Sequence, residues 1–412
     1  MQKSTRGALS HIRVLDLSRV LAGPWAGQTL GDLGADVIKV ERPGTGDDTR
    51  LWGPPYLKDA QGQATSDSAY YLCTNRNKKS ITVDFTQPEG QLLVRELAKT
   101  CDVVIENFKT GSLVQYGLDY VSLQAINPRI VYCSITGFGQ TGPYAHRAGY
   151  DFLIQGMGGL MSITGRPDGE EGAGPVKVGV AMTDIMTGLY ASTSILAALS
   201  AREVSGVGQH IDLALLDVQV ACLANQSMNY LYSGNSPKPM GNAHPNTVPY
   251  QDFPTADGHM ILAIGNDGQF AKFCAAAENA QWAQDPRFRT NSARVTYRLE
   301  LIPLMRQVTR KRTTSDWIAL LENQGVPCGP INTIADVFAD PHVQARGMQI
   351  EMSHPVAGEI PLVGSPIRLS DTPVQYRTAP PQLGQDTRQV LSEVLGLSQE
   401  AIDGLEKQGV LG

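Results

Sequence analysis

The sequence predicts an α/β fold in which a parallel sheet forms a large domain and a smaller α+β domain is inserted into it. Apolar strand-like segments alternate with helical segments of about ten residues in the N-terminal half, a pattern typical of parallel α/β sheets. The 412 residues exceed the size of most single hydrophobic cores, so we expect two domains. After about residue 228 the chain becomes rich in Gly, Pro and Asn, which indicates a linker.

The segment IRVLDLSRVLAGPWAGQTLGDLGADVIKVER carries the first strand, helix and strand. Arg13–Leu17 and Asp36–Val40 are short apolar runs that predict strands. The breaker Ala22-Gly23-Pro24 begins the helix between them, and Gly34 follows its last turn, which matches the usual positions of Pro and Gly at helix ends. This order predicts two parallel strands.

Further elements of the same kind follow along the chain. KSITVDF, CDVVIENF and PRIVYCSITGF predict strands, and PEGQLLVRELAKT predicts a helix. Val176–Met182 is apolar and predicts another strand, which leads into a predicted helix at Ile185–Ser200. At the C-terminus two more helices are predicted, the second capped by Ser398 and stopped by Gly409.

The smaller domain is predicted at residues 229–325 with its flanking linkers, and residues 1–228 and 326–412 together form the large domain. Within the smaller domain, YQDFPTADGHMILAIG predicts a β-hairpin with Asp257-Gly258 at its turn. TTSDWIALLENQG predicts a helix, since it begins with capping residues and ends at Gly.

Composition and charge argue against several classes of function. The formal net charge is −6, which disfavours a large nucleic-acid surface. No apolar stretch has the length of a membrane span, and the N-terminal residues lack the apolar core of a signal peptide. The six cysteines and seven histidines show no metal-site spacing. We therefore expect a cytoplasmic or organelle-matrix protein that binds no nucleic acid, membrane or metal.

Asp184 is the most unusual charged residue, because VKVGVAMTDIMTGLYAS surrounds it with small and apolar side chains. Burying an isolated carboxylate costs several kcal/mol or more. One interpretation is an N-cap of the following helix, worth about 1 kcal/mol. The other is a nucleophile or base after a strand, which the amides of the helix N-terminus would keep ionised. Spacing alone leaves both interpretations open.

Other polar candidates have equally plausible structural roles. Asp151 in the GYD segment is predicted to cap the helix that follows. Lys39, Glu41 and Arg42 end a strand, where cations can meet a phosphate, although a solvated loop is an equal interpretation. No GxGxxG follows the first strand, and GxxxxGK[ST], GxSxG and HExxH do not occur.

Several segments in order resemble one enzyme family, the class III CoA-transferases of the CaiB/BaiF type, which include formyl-CoA and carnitine-CoA transferases. The segments are RVLAGPWAGQTLGDLGADVIKVERPGTGDDTR, NRNKKSITVDF, DVVIENFKTGSLVQYGL, CSITGFGQTGPYAHRAGYD, GLMSITG, VGVAMTDIMTGLYA, VPCGPI and LGQDT. The similarity covers essentially the whole chain. Within the family, segments such as GDDTRLWGPP and YYLCTNRNKKS resemble the succinyl-CoA:glutarate CoA-transferases in particular.

The resemblance implies a CoA-transferase whose catalytic nucleophile is Asp184. In this family the aspartate forms a mixed anhydride with the acyl group and then a thioester with CoA. The implied reaction moves CoA from an acyl-CoA, here succinyl-CoA, to a carboxylic acid such as glutarate or a similar dicarboxylate. Formyl-CoA with oxalate, or carnitine-type acids, are the alternative substrates. The CoA thioester is a substrate, and no tightly bound cofactor is implied.

The resemblance also implies contacts to CoA and a mobile loop. The implied CoA contacts are Val20, Ala22, Arg42, Arg76, Asn107, Phe108 and Gly137. Thr136 and Gln115 stand where some members carry phosphate-binding Lys and Arg, so Arg76, Lys78 or Lys109 would take that role. The implied substrate and lid residues are Tyr150, Gly265, Gly268 and Gln269, the last three in GNDGQF.

The family fold implied is a Rossmann-like large domain built from both chain ends, with the small domain inserted, and an interlocked homodimer with active sites at its interface. A dicarboxylate substrate needs a cation for its second carboxylate, and the candidates are His146, Arg147, Arg166 and His244.

Two alternative functions remain. The α-methylacyl-CoA racemases share this fold but use a histidine where this chain has Tyr150, and a tyrosine of ordinary pKa, about 10, is a weak base. A non-enzymatic CoA-binding scaffold would require Asp184 to be dispensable.

Overall fold

The computed structural model describes residues 7–412. These residues form two compact units. The larger comprises the chain up to Leu160 together with Lys177–Tyr232 and His342–Gly412, and the smaller comprises Met161–Val176 and Ser233–Pro341. The domain boundaries predicted from the sequence stay a prediction. This division differs from them by adding residues 161–176 and 326–341 to the smaller unit and by assigning residues 229–232 to the larger one.

The elements alternate as the sequence pattern predicts over most of the chain. The strands are β1 Arg13–Asp16, β2 Asp36–Glu41, β3 Tyr56–Lys58, β4 Ala64–Ser68, β5 Lys78–Thr82, β6 Val103–Glu106, β7 Val131–Thr136, β8 His210–Ala214, β9 Tyr250–Pro254, β10 His259–Ala263, β11 Cys328–Pro330, β12 Gln349–His354 and β13 Gly358–Val363. The α-helices are α1 Ala22–Asp32, α2 Ala69–Leu72, α3 Pro88–Lys99, α4 Tyr120–Ile126, α5 Asp151–Met157, α6 Leu160–Ile163, α7 Met182–Ser205, α8 Leu215–Cys222, α9 Ala224–Ser233, α10 Asp267–Ala276, α11 Asn291–Thr296, α12 Arg298–Thr309, α13 Thr314–Glu322, α14 Ile334–Ala339, α15 Pro341–Ala345, α16 Thr387–Leu395 and α17 Gln399–Lys407. Short 3₁₀ helices occur at Asp48–Leu51, Val114–Tyr116 and Ala280–Ala283.

The larger unit is built on a six-stranded parallel sheet in the order β5-β2-β1-β6-β7-β8, which confirms the predicted parallel α/β architecture. Successive strand residues point to opposite faces. Leu15 and Ile38 therefore join one apolar cluster, whereas Val14 and Val37 join the cluster on the other face. Burial of both faces explains why the strands are almost continuously apolar.

The strand order reverses direction between β1 and β6. From β1 the chain adds β2 and β5 on one side, and it then returns to add β6, β7 and β8 on the other. The connections on the two sides diverge at this point, so a crevice opens at the carboxyl ends of β1 and β6. The loops that follow these two strands are therefore placed to line a binding site.

One element was predicted wrongly, and it lies directly before Asp184. The predicted strand Val176–Met182 is irregular chain in its first six residues, and α7 begins at Met182 rather than at Ile185. The side chains of Val176 and Val180 are 48% and 52% exposed, so this apolar run is not a buried strand. The position beside β7 in the sheet is filled by β8 instead.

Helix α7 is fixed by close packing on α1. A Cβ atom at Gly188 would lie 2.7 Å from the carbonyl oxygen of Ala22 and 2.9 Å from the Cβ of Trp25. Only glycine permits the two backbones to approach this closely. The contact holds the first turns of α7 beside the loop that opens α1.

The smaller unit contains an antiparallel sheet in the order β11-β10-β9. The predicted hairpin is confirmed, because β9 and β10 pair on either side of Asp257-Gly258. Phe253, Phe273 and Trp317 belong to its apolar core, and α13 has the predicted cap, in which Thr313 accepts the amide of Asp316.

The two predicted C-terminal helices are confirmed as α16 and α17. Ser398 caps α17 by accepting the amide of Ala401, and Gly409 follows its last turn with a φ of 73°. None of the helices in residues 7–412 combines the length and the apolar character that crossing a membrane requires.

Candidate active site

A cavity of about 170 Å³ lies at the carboxyl ends of β1 and β6, where the strand order reverses. Its walls are residues 19–22 after β1, residues 107–110 after β6, residues 135–137 at the end of β7 and residues 147–150 before α5, with Asp48, Asp184 and Leu215. Parallel strands bring these loops to one edge of the sheet although they are far apart in sequence.

Asp184 lines this cavity from the first turn of α7 and is not the helix cap. The N-cap is Ala181, so Asp184 occupies the third helical position. Among the residues that the structure describes, no group donates a hydrogen bond to its half-buried carboxylate. Burial, followed by the charge of Asp151, raises the pKa of Asp184 from 3.8 to about 7. The expectation that helix amides hold Asp184 ionised is therefore wrong.

Asp151, rather than the side chain of Asp184, accepts hydrogen bonds from the backbone amides at the start of α7. Its Oδ1 accepts the amide of Thr183 at 2.8 Å and that of Asp184 at 3.4 Å. Its Oδ2 accepts the side-chain amide of Gln155 at 2.7 Å. The prediction that Asp151 caps the helix that follows it is wrong, because the N-cap of α5 is Tyr150 and makes no side-chain bond.

The loop after β1 is held on both sides. Asn107 Oδ1 accepts the amide of Arg19 at 2.9 Å, and Asn107 Nδ2 donates to the Arg19 carbonyl oxygen at 2.7 Å. The amide of Val20 donates to both carboxylate oxygens of Asp47, at 3.2 and 3.3 Å. These contacts support a φ of 70° at Val20, a conformation that β-branched residues rarely adopt.

Beneath this loop lies a buried network of ion pairs. Lys39 pairs with Asp47 at 2.8 Å and Lys78 with Asp16 at 3.0 Å, and all four side chains are fully shielded from solvent. Glu41 pairs with Arg50 at 2.7 Å. The interpretation of Lys39 as a cation that meets a phosphate is therefore wrong, since its side chain does not reach solvent.

Most of the contact residues predicted from the sequence meet around Asp184. The cavity walls include Val20, Ala22, Asn107, Phe108, Gly137 and Tyr150. Arg42 is exposed and lines a neighbouring cavity of about 220 Å³, whose wall also contains Arg19, Asp48 and Phe108. Their binding roles stay predictions, although their placement is compatible with one elongated ligand.

Arg76 and Lys78 lie elsewhere. Arg76 forms a buried ion pair with Asp32 and donates to the Val363 carbonyl oxygen at 2.7 Å, and it lines a third cavity without Asp184. Lys78 is enclosed beside Asp16. These placements argue against a phosphate-binding role for either cation, whereas Lys109 lines the Asp184 cavity.

The predicted lid residues lie at the start of α10 in the smaller unit. Asn266 caps the helix by accepting the amide of Gln269 at 2.9 Å, and Gln269 Oε1 accepts the amide of Gly265 at 2.9 Å. Gly268 is in the first turn of the same helix. GNDGQF is thus a capped helix start, and its role as a lid stays a prediction.

Of the four predicted cations for a second carboxylate, Arg147 lines the Asp184 cavity. Its guanidinium lies 5.1 Å from the ring centroid of Phe138 and 4.7 Å from that of Tyr144. Within residues 7–412 it forms no ion pair. Arg166 and His244 belong to the smaller unit.

Comparison with known proteins identifies relatives along nearly the whole chain. A family model described as CoA-transferase family III matches residues 9–387. A succinate–glutarate CoA-transferase of Agrobacterium fabrum is 55% identical, over 94% of this chain and 95% of that protein. A succinyl-CoA:glutarate CoA-transferase of Mus musculus is 47% identical, over 98% of this chain and 90% of that protein. The crystal structure of a CaiB/BaiF family protein from Brucella suis has a TM-score of 0.81 and 53% identity, covering 95% of this chain and 100% of that one.

Proposed function

Because the chain belongs to CoA-transferase family III and is therefore a CoA-transferase, we propose that it moves coenzyme A from succinyl-CoA to glutarate. Two relatives named for this activity, at 55% and 47% identity, support the choice of substrates. The observation that carries the chemistry is the half-buried carboxylate of Asp184, which lines the cavity without a hydrogen-bond donor among the described residues.

In the first half of the reaction, a carboxylate oxygen of Asp184 attacks the thioester carbon of succinyl-CoA. The C–S bond breaks, CoA leaves as the thiolate, and a mixed anhydride of Asp184 and succinate remains. The thiolate then attacks the carbonyl carbon of Asp184 in this anhydride. Succinate leaves, and Asp184 is bound to CoA as a thioester.

The second half repeats these steps with glutarate. A glutarate carboxylate attacks the Asp184–CoA thioester, the thiolate leaves, and an anhydride of Asp184 and glutarate forms. The thiolate attacks the glutaryl carbonyl carbon, which releases glutaryl-CoA and restores the Asp184 carboxylate. No proton is taken up or released overall, so the site needs a nucleophile and protection from water rather than a general acid.

The cavity suits these steps. The substrate does not have to displace an internal hydrogen bond from Asp184, and a nucleophile free of such bonds attacks more readily. Anhydrides and aspartyl thioesters hydrolyse in water, and the half-buried position of Asp184 limits the access of water to them. The loop after β1 that forms one wall of the cavity is fixed in advance by Asn107 and Asp47, which favours productive orientation of the substrate.

The test is an analysis of acyl-CoA products after the protein is mixed with succinyl-CoA and a panel of carboxylic acids. We expect glutaryl-CoA with the natural protein and none with Asp184→Asn. Asp316→Asn is the matched control, because Asp316 is also in the first turn of a helix but lies in the smaller unit. Formation of the CoA thioester of another acid would show that the acceptor is that acid rather than glutarate, with the mechanism unchanged. Full activity of Asp184→Asn would refute the role of Asp184 as the nucleophile.

We further propose that the protein is an interlocked homodimer, as the family resemblance implies, and that it is located in the cytoplasm. Large apolar side chains on α7 and α9 support a dimer, since Val204, Leu231 and Tyr232 are 90%, 69% and 87% exposed. Light scattering measures the mass. Interlocked chains exchange only after unfolding, so tagged and untagged dimers should form hybrids after refolding but not after simple mixing.

A further inference from the structure

The first turn of α7 has backbone amides that its own N-cap leaves without a partner. The N-cap, Ala181, has no side-chain oxygen. Asp151, 32 residues earlier, supplies the missing acceptor by binding the amide of Thr183 at 2.8 Å and approaching that of Asp184 at 3.4 Å. Carboxylates are preferred acceptors for these free amides.

We propose that Asp151 is a positioning residue for Asp184. By occupying the free amides of the first turn of α7, Asp151 leaves the Asp184 carboxylate facing the cavity with its lone pairs available to a carbonyl carbon. The inference rests on the proposed role of Asp184 as the nucleophile. It assigns to Asp151 a second function besides holding α5 against α7.

The position of Asp184 explains why such a device is needed. Asp184 is at the third helical position, where an acidic side chain commonly folds back to the amide of the N-cap residue. A carboxylate bound in that way is stabilised as an anion and is a weaker nucleophile. Asp151 binds the amides of Thr183 and Asp184 rather than that of Ala181, and its negative charge at this helix end repels a second carboxylate that would fold back to the Ala181 amide.

Gln155 holds Asp151 in the required orientation. It is completely buried one turn further along α5, and its side-chain amide donates to Asp151 Oδ2 at 2.7 Å. Its Oε1 accepts the amide of Val178 at 2.9 Å. Gln155 therefore ties Asp151 to the irregular segment that leads into α7, and both carboxylate oxygens of Asp151 are engaged.

Burial and the charge of Asp151 both raise the pKa of Asp184. Burial is the first cause and Asp151 the second of the rise in the pKa of Asp184 to about 7. The other charged residues in the cavity wall are Arg19 and Asp48, which form an ion pair, together with Lys109 and Arg147. Tyr150 is a further titratable group of the wall. Tyr70 is also close, because burial and then the charge of Asp184 raise the pKa of Tyr70 to about 12.

The experiment compares three variants with the natural protein. Asp151→Asn keeps an oxygen that can accept the Thr183 amide but removes the charge. Gln155→Ala removes the bond to Asp151 Oδ2 but keeps the charge. Asp257→Asn is the matched control for stability, because Asp257 also accepts the first amide of a helix from outside it, that of Thr314 at 2.8 Å, in the smaller unit.

The first readout needs no substrate. The infrared band of a protonated carboxyl that disappears in Asp184→Asn reports the titration of Asp184 itself. We expect its midpoint to fall by about one pH unit in Asp151→Asn, the usual size of a like-charge effect, to fall by less in Gln155→Ala, where Asp151 keeps its charge but loses a contact that holds it, and to stay in place in Asp257→Asn. An unchanged midpoint in Asp151→Asn, in a protein that unfolds like the Asp257→Asn control, would overturn the inference.

The second readout is the pH profile of kcat/KM with any acceptor that the protein accepts. We expect the acid limb to move to lower pH together with the infrared midpoint, and kcat above that limb to fall because the nucleophile is better stabilised. If the infrared midpoint moves while no acid is converted, the proposed function fails and the electrostatic coupling stands. If activity is present and neither midpoint nor limb moves, the coupling fails and the function stands.

Discussion

Lys39 Nζ lies 2.8 Å from a carboxylate oxygen of Asp47, and both side chains are completely shielded from solvent. Lys39 also donates to the carbonyl oxygen of Ser18 at 2.7 Å, while Asp47 accepts the amide of Val20. The ion pair therefore holds both ends of the loop at residues 18–20, of which Arg19 and Val20 form part of the wall of the Asp184 cavity. A strained conformation at Val20 costs about 1–3 kcal/mol and persists only where its surroundings enforce it.

Asp47→Ala is expected to destabilise the protein strongly. It leaves the Lys39 ammonium buried beside fewer negative charges and releases the Val20 amide, and breaking a buried pair in this way costs about 3–5 kcal/mol. Denaturant midpoints measure the loss. Asp168→Ala is the control, since Asp168 pairs with Lys238 at the surface, and a change within about 1 kcal/mol is expected there. Equal effects of the two substitutions would contradict this account of the loop.

The ion pair of Lys39 and Asp47 predicts that the stability of the fold depends on pH. Despite burial, Lys39 and the Thr49 amide lower the pKa of Asp47 from 3.8 to about 2. The carboxylate therefore stabilises the fold above about pH 4, and this contribution disappears as the pH falls towards 2. The difference in stability between natural protein and Asp47→Ala should shrink over that range.

Gly188→Ala tests the packing that places α7. The new Cβ would lie 2.7 Å from the Ala22 carbonyl oxygen, so the helices must separate at a cost of about 1–3 kcal/mol. Gly404→Ala in α17 is the matched control, because a Cβ there has open space, and we expect a gain of up to about 1 kcal/mol from helix propensity. A stable Gly188→Ala protein with unaltered activity would show that the close approach of α1 and α7 is unnecessary.

The features predicted correctly from the sequence depend on local patterns. The strands β1 and β2 and the helix between them follow from short apolar runs, a Pro in the first turn and a Gly after the last. The hairpin at Asp257-Gly258 and the caps Thr313 and Ser398 are likewise encoded within a few residues. Asp184 is recognisable from the sequence because a charge inside an apolar run is visible in any window that contains it.

The features that were missed depend on residues distant in sequence. Val176–Met182 has the composition of a strand, but β8, about thirty residues later, occupies the sheet position beside β7. The role of Asp151 depends on Thr183, 32 positions away, and that of Asp47 on Val20, 27 positions away. No local spacing connects these residues, so a single sequence read by pattern assigns them to ordinary caps and loops.

Glu106→Gln is expected to change the pH dependence of stability. Burial raises the pKa of Glu106 from 4.5 to about 7, although Ser134 and the Phe108 amide partly oppose this. Folding therefore takes up a proton between these values, and the natural protein loses up to roughly 3 kcal/mol of stability as pH rises through that window. The glutamine cannot ionise, so its stability relative to the natural protein should increase from about pH 5 to about pH 8.

Denaturant midpoints at both pH values check this expectation for Glu106. Glu203→Gln is the control, since the Glu203 side chain is 70% exposed beside Arg129. A pH-independent difference between Glu106→Gln and the natural protein would mean that Glu106 is ionised at low pH as well.

Arg147→Gln tests whether the guanidinium in the cavity wall binds the second carboxylate of the acceptor. Arg147 lines the cavity with Asp184, and within residues 7–412 it has no carboxylate partner and only a long hydrogen bond of 3.9 Å to the Met157 sulfur, so a carboxylate of the acceptor can bind its terminal nitrogens. A charge-assisted hydrogen bond contributes about 1.5–3 kcal/mol, which predicts a KM for glutarate raised by roughly 10–100-fold. The KM for a monocarboxylic acceptor should change much less, because such an acceptor has no second carboxylate for Arg147 to bind.

His146→Gln is the control for Arg147→Gln, since the neighbouring His146 is not among the residues that form the cavity wall. If the KM for succinyl-CoA rises instead, and equally with either acceptor, Arg147 binds the CoA moiety, and the second carboxylate must be met by Lys109 or Arg19, the other cations of the same wall.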